Sequence, residues 1–285
     1  MSPVPYTIVD TEASLSAVLR SFNVSSVSAR PVLYLDLEGI NLCRHGSIAI
    51  MQVYQSEEDH VYLVDVHTLG AAAFSTTATD GVTTLKSVLE NSSIPKAFFD
   101  VRNDSDALYN LYSIYLRGVV DVQLMELRTR TGSRRLLNGL ARCLERYFTS
   151  ARMVVEASEW NEAKQAGLRL FAPERGGAYQ VLNARPMRQA IVDYCIQDVT
   201  FWPDLYDLYA QGLTPLWKRK LDAEALRRVA VCQQQSYMPQ AQGACTILHM
   251  SEEGFSIDIV QNVTTAVVRD DHSFLHEMHH HVMCT

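Results

Sequence analysis

Long apolar runs are missing from this chain of 285 residues. No stretch reaches the roughly eighteen consecutive apolar residues that a membrane-crossing helix needs, which predicts no membrane span. The N-terminus also lacks the basic-then-apolar layout of a secretory signal, so the expectation is an intracellular protein, cytoplasmic or nuclear. Cysteine is sparse: Cys43, Cys143, Cys195, Cys232, Cys245 and Cys284 never fall at Cys-x-x-Cys spacing. That argues against a zinc ribbon or a disulfide framework and reads as free thiols in a reducing compartment. Positive charge is in short supply, with 25 Lys and Arg against 32 Asp and Glu and a formal net charge of −7. Any contact with a polyanion must therefore come from local clustering of basic side chains.

What is present is enough apolar material, 47% of the residues, for one sizeable core plus an appendage. Within it, acidic residues interrupt apolar segments at three places. The first is Val32-Leu33-Tyr34-Leu35-Asp36-Leu37-Glu38-Gly39, an apolar run suited to a largely buried strand. Side chains alternate along a strand, so Asp36 and Glu38 share one face while Leu35 and Leu37 turn to the other. An acid-x-acid pair is a natural clamp for a hard cation, although in so acidic a chain about one such pair arises by chance.

The second place is the segment from Ile94 to Leu108, read as a short strand, a polar turn and a helix. Two aspartates compete there. Steps of 4, 7 and 11 from Asp104 reach Leu108, Leu111 and Tyr115, an apolar stripe that faces the sheet. The same steps from Asp106 reach Asn110, Ser113 and Arg117, a polar face expected in solvent. An ordinary alternative for Asp104 is a helix N-cap, and for Asp106 a first-turn acid that complements the helix dipole.

The third place is a helix after Arg185-Pro186-Met187, on which Tyr194 and Asp198 stand one turn apart on one face. Together the three segments offer four carboxylates and a phenol to one reaction centre, the oxygen-rich set that holds Mg²⁺ or Mn²⁺ for phosphoryl chemistry.

In these residues the chain resembles the DEDD superfamily of 3′–5′ exonucleases, in the branch with a tyrosine in the last motif, similar to ribonuclease D and the Werner-type exonuclease domain. Asp36-Leu37-Glu38 matches the first motif, Asp104 with Leu108 the second, and Tyr194-Cys195-Ile196-Gln197-Asp198 the third. Val119-Val120-Asp121-Val122-Gln123, Leu137-Asn138-Gly139-Leu140 and Arg185-Pro186-Met187 resemble the segments between and before them. The resemblance implies a ribonuclease H-like α/β fold and release of nucleotides from the 3′ end of RNA or DNA. It implies two divalent ions held by Asp36, Glu38, Asp104 and Asp198, with Tyr194 orienting the attacking water. A catalytically silent nucleic-acid-binding or scaffold protein of the same fold is the alternative. Two features depart from the family pattern: the turn Asp100-Val101-Arg102-Asn103 lacks the usual His-Gly or His-Asn, and the stretch from Ser150 to Asn183 exceeds the compact family connection. A connection of that length reads as a functional or mobile segment.

Basic residues do cluster. Arg128, Arg130, Arg134, Arg135, Arg142, Arg146 and Arg152 face a single acid, Glu145, over that span. Such an array can follow a phosphate backbone without reading bases, and it can equally be a solvated, salt-bridged face. Lys218, Arg219, Lys220, Arg227 and Arg228 are diluted by Asp222 and Glu224 and are expected to decorate a helix surface.

The apolar pattern predicts strands near 32–38, 47–53, 61–65, 96–99 and 118–121, a helix near 83–90, and several helices to about 210. This is a mixed five-stranded sheet with an antiparallel beginning, flanked by helices. Residues 8–212 form the expected catalytic unit. Residues 213–285 read as an extension with a helix and then a weakly structured, histidine-rich tail (His272, His276, His279, His280, His281).

Overall fold

A computed structural model describes residues 4–23, 30–239, 247–251 and 254–258, the last two stretches as backbone. Strand β1 (Tyr6–Val9) and helix α1 (Glu12–Phe22) come first, then β2 (Leu33–Glu38), β3 (Ile50–Gln55) and β4 (His60–Val64). Short helices α2 (Val66–Leu69), α3 (Ala72–Ser75) and α4 (Leu85–Glu90) lead to β5 (Lys96–Phe98), α5 (Arg102–Tyr112) and β6 (Val119–Asp121). Five helices follow: α6 (Val122–Thr129), α7 (Leu140–Ala151), α8 (Val154–Phe171), α9 (Gln189–Thr200) and α10 (Trp202–Ala210), before α11 (Pro215–Cys232).

The sheet has six strands in the order β1-β4-β3-β2-β5-β6. Its antiparallel beginning is as expected: β2 pairs with β3 and β3 with β4 in antiparallel register, while β5 and β6 join in parallel. The sixth strand corrects the expected five. Tyr6–Val9 lies parallel to β4, and only Val9 of its four residues is buried, so the segment has little apolar alternation to reveal it. Strand alternation divides two cores. Leu33, Leu35 and Leu37 pack with α1, α3, α4 and α5 on one face, and Tyr34 packs with the helices from α6 to α10 on the other.

Within the long stretch after Ser150, among the helices expected up to about 210, α8 is an 18-residue helix packed along α9, with Ala157, Trp160, Gly167 and Phe171 buried at helical spacing.

Helix α11 packs on α5 and β6, and its Arg228 is only 3% exposed, so this residue does not decorate a surface. The Arg228 guanidinium donates to Asp121 at 2.7 Å and Gln123 at 3.1 Å and reaches Asp100 at 3.4 Å. Asp106 is likewise buried rather than solvated. It accepts from the Arg44 backbone N–H at 2.6 Å and the Arg44 side chain at 2.8 Å, and Arg44 in turn donates to the Cys232 and Gln234 carbonyls at the end of α11. A fully buried carboxylate requires such a partner, and a helical-wheel argument cannot supply one from a distant loop.

Beyond α11, β7 (Ile247–Ser251) and β8 (Gly254–Asp258) form an antiparallel pair. The histidine-rich end lies outside the described residues. Among the described residues, no helix is long and apolar enough to cross a membrane.

Candidate active site

Strand β2 presents Asp36 and Glu38 on one face, as alternation requires, and α9 lies across β2, β3 and β4 on that face. Immediately after Glu38 the chain turns back so tightly that a Cβ on Gly39 would overlap the Ser47 carbonyl oxygen, so glycine is needed there. The one-turn spacing on α9 brings Asp198, 2% exposed, to the strand carboxylates. One oxygen from each of Asp36, Glu38 and Asp198 lies within 4.8 Å of the other two.

Asp104 sits in the first turn of α5, 5% exposed, and the N-cap position of that helix is Val101 rather than an aspartate. Burial, then the nearby Asp36, Asp100 and Glu38, push its carboxyl well above the ordinary range. Asp104 is not among the three acids whose oxygens converge, although the charges of Asp36 and Glu38 act on it, whereas Asp106 pairs with Arg44. Removal from water and mutual repulsion act on the rest too. Asp36 is pushed up to about 7 by desolvation and Asp198, and Glu38 rises for the same reasons with Asp36 added. Crowded carboxylates with an all-oxygen donor set suit hard divalent cations and leave no sulfur or imidazole to favour a softer metal.

Tyr194 is 5% exposed and lies close enough to Asp198, Glu38 and Asp36 for their charges to act on it. Burial and the surrounding acids raise its pKa well above that of free tyrosine, so it remains a neutral phenol through neutral pH. The ring is seated by α8. Phe171 meets it edge-on at 5.0 Å, and a Cβ on Gly167 would fall 2.6 Å from its Cβ and ring, so glycine lets the tyrosine lie flush on the helix backbone.

Lys164, from the same face of α8, was not anticipated from sequence. Its ammonium donates to Asp198 at 2.5 Å and to the Tyr194 hydroxyl at 2.7 Å, and lies 3.9 Å from the Tyr194 ring centroid. Ala157, Trp160, Lys164, Gly167 and Phe171 follow at steps of 3 and 4, the signal that marks one helix face.

The expected basic track is divided. Arg130, its side chain 7% exposed, is tied to Glu126 at 2.5 Å and to the Ser133 and Leu136 carbonyls. Arg128 lies over the Trp217 ring at 4.1 Å, and Arg134 donates to the Arg130 carbonyl. Arg135 and Arg142 are exposed. Arg185 joins the entry to α9 to the end of β4 by a bidentate pair with buried Asp65 at 2.5 Å.

A sequence-family model described as 3′-5′ exonuclease matches residues 6–210. This chain belongs to that exonuclease family. Ribonuclease D of Trypanosoma brucei is 21% identical, with a TM-score of 0.63 over 85% of this chain and 77% of that one. Escherichia coli RNase D matches with a TM-score of 0.54 at 18% identity, covering 80% and 51%. At these identities the likeness establishes the ribonuclease H-like fold of the exonuclease domain. Among curated proteins, the mouse piRNA biogenesis protein EXD1 is 34% identical over 124 residues, 43% of this chain. The matched stretch spans only 19% of that protein's length.

Proposed function

We propose that this exonuclease domain is an active, divalent-metal-dependent enzyme that removes nucleotides one at a time from the 3′ end of RNA. The observation that carries the reading is the convergence of Asp36, Glu38 and Asp198 carboxylates within 4.8 Å, with Asp104 beside them. Those four residues would hold Mg²⁺ or Mn²⁺, which when bound stabilises charge on a phosphodiester and makes water a stronger acid. The protein's own groups do the rest. Asp36 and Glu38 are fixed by β2 and Asp198 by α9, so the carboxylates are organised before substrate arrives. Tyr194 keeps its proton and is held by α8, so its hydroxyl can orient the attacking water. Exposed Arg135 and Arg142, together with Arg134, offer cations to the phosphate backbone of the strand.

RNA is favoured over DNA as substrate by two similarities: one matched structure is T. brucei RNase D in complex with RNA U12, and the curated relatives are piRNA biogenesis proteins. A second reading, an RNA binder without turnover, is favoured by Lys164, which puts a positive charge among the acids without any metal.

The deciding assay uses matched 5′-labelled single-stranded RNA and DNA with Mg²⁺, Mn²⁺ or chelator. A ladder shortening from the 3′ end, lost in chelator and stronger on RNA, is expected. Binding without shortening under every metal condition overturns the enzymatic reading in favour of the second.

A further inference from the structure

Asp36, Glu38 and Asp198 crowd together and act on Asp104, and this repulsion has to be offset while the protein folds. Lys164 meets that need from α8. Its ammonium takes up an oxygen of Asp198 at 2.5 Å, and its positive charge also acts on Asp36 and Glu38. An ammonium at hydrogen-bond distance from a carboxylate uses the lone pairs and the electrostatic attraction that a hard cation would use. A dication on Asp198 and an ammonium against the same carboxylate repel each other, so the two compete for it. The lysine side chain is 18% exposed on a flexible four-carbon stem, so the ammonium can swing toward solvent without moving the helix. The carboxylates, by contrast, are fixed to β2 and α9.

We propose that Lys164 is a resident counter-charge of the acidic cluster, which divalent metal must displace, so that this one side chain sets the metal concentration at which the site fills. The inference rests on the exonuclease reading above and deepens it. It makes Lys164 a positioning residue: in the metal-free protein it steadies Asp198 and Tyr194, and on metal loading it leaves Asp198.

The test is direct Mn²⁺ binding by titration calorimetry on the full chain, comparing the parent protein with Lys164→Met and Lys164→Arg. Methionine keeps the length and loses the charge, whereas arginine keeps the charge. We expect Lys164→Met to bind Mn²⁺ at least tenfold more tightly and to melt lower in chelator at pH 8. Lys164→Arg should stay near the parent on both measures. A lysine that only packed would give the opposite: removing it would loosen the site and weaken Mn²⁺ binding. A second readout follows the amine itself. Acetylation of Lys164, followed by mass spectrometry, should be slow in chelator and faster once Mn²⁺ saturates the site. Should the parent bind Mn²⁺ while Lys164→Met binds no more tightly, the inference fails and the exonuclease reading survives. Should neither protein bind Mn²⁺, the exonuclease reading fails and the inference with it.

Discussion

Two groups of buried charge lie in neighbouring parts of this fold and are compensated very differently. Around Arg228, the carboxylates of Asp121 and Asp100 meet two guanidinium groups, since Arg102 pairs with Asp100 at 2.5 Å. Although burial alone would raise it, Arg102 and Arg228 hold the Asp100 carboxyl below its ordinary range. At the other group, Asp36, Glu38 and Asp198 face the ammonium of Lys164, and Asp36, Glu38 and Asp104 are held above their ordinary range. Charge that serves the fold is balanced by the fold, and charge left in excess awaits something from outside it. The contrast separates carboxylates of the same type, in adjacent elements, without reference to any relative.

The largest expected break in that contrast is functional. Asp36→Ala or Asp198→Ala should reduce hydrolysis by on the order of a thousandfold or more, because each removes an oxygen that would hold metal. Circular dichroism and the melting curve in chelator should remain those of a folded protein. Retained turnover in either purified variant would contradict the site. Arg228→Met is the counterpart in the balanced group. It leaves Asp121 buried without its main cation and should cost about 3–5 kcal/mol in chemical denaturation. A loss under about 1 kcal/mol would show that the pair is not buried in solution.

The two second-motif aspartates sharpen the comparison. Asp104→Asn should abolish turnover yet raise the melting temperature in chelator, since it relieves repulsion. Asp106→Asn should lower the melting temperature by breaking the Arg44 pair, with a smaller effect on rate. Rates and melting curves that moved together in both variants would dissolve the distinction.

A pH series gives a smaller effect. A carboxyl whose folded pKa is raised binds protons more tightly in the folded state. Its contribution is therefore fully present below the unfolded value of about 3.9 and is lost as pH rises through about 7 for Asp36. In chelator the parent protein should lose a few degrees of melting temperature between pH 5 and pH 8, and Asp36→Asn should lose less. Identical slopes would mean that Asp36 is not raised. The smallest change expected is in binding. Replacing Arg134 and Arg135 together with Ala should weaken single-strand binding across sequences and reduce the salt slope by about one to two, measured in Ca²⁺ to suppress turnover. An unchanged slope would remove the segment as a phosphate contact.

Legibility in the sequence followed the range of the interaction. The shared face of Asp36 and Glu38 is readable because strand alternation is local, whereas the stripe drawn from Asp104 runs past the end of α5 to Tyr115, which is 48% exposed. Asp106 was misjudged because its partner Arg44 lies 62 residues away. Arg228 was misjudged for the same reason, with Asp121 at a separation of 107. Lys164 was missed because a lysine and a glycine on the buried face of α8 carry no apolar signal that would tie that face to Tyr194, 30 residues away. Strand β1 was too short and too exposed to announce itself.

Helix α11 has a consequence for how this protein is divided. The match to the exonuclease family model ends at residue 210, and 212 was the expected end of the catalytic unit. A fragment cut there would lose Arg228 and the carbonyl oxygens of Cys232 and Gln234 that hold Arg44. Asp121, Asp100 and Asp106 would then be left around the turn that delivers Asp104. A fragment expected to stand alone therefore runs through the end of α11, where these ion pairs are complete. Anyone grafting this nuclease unit onto another protein should carry that helix along, and limited proteolysis of the intact chain should spare it.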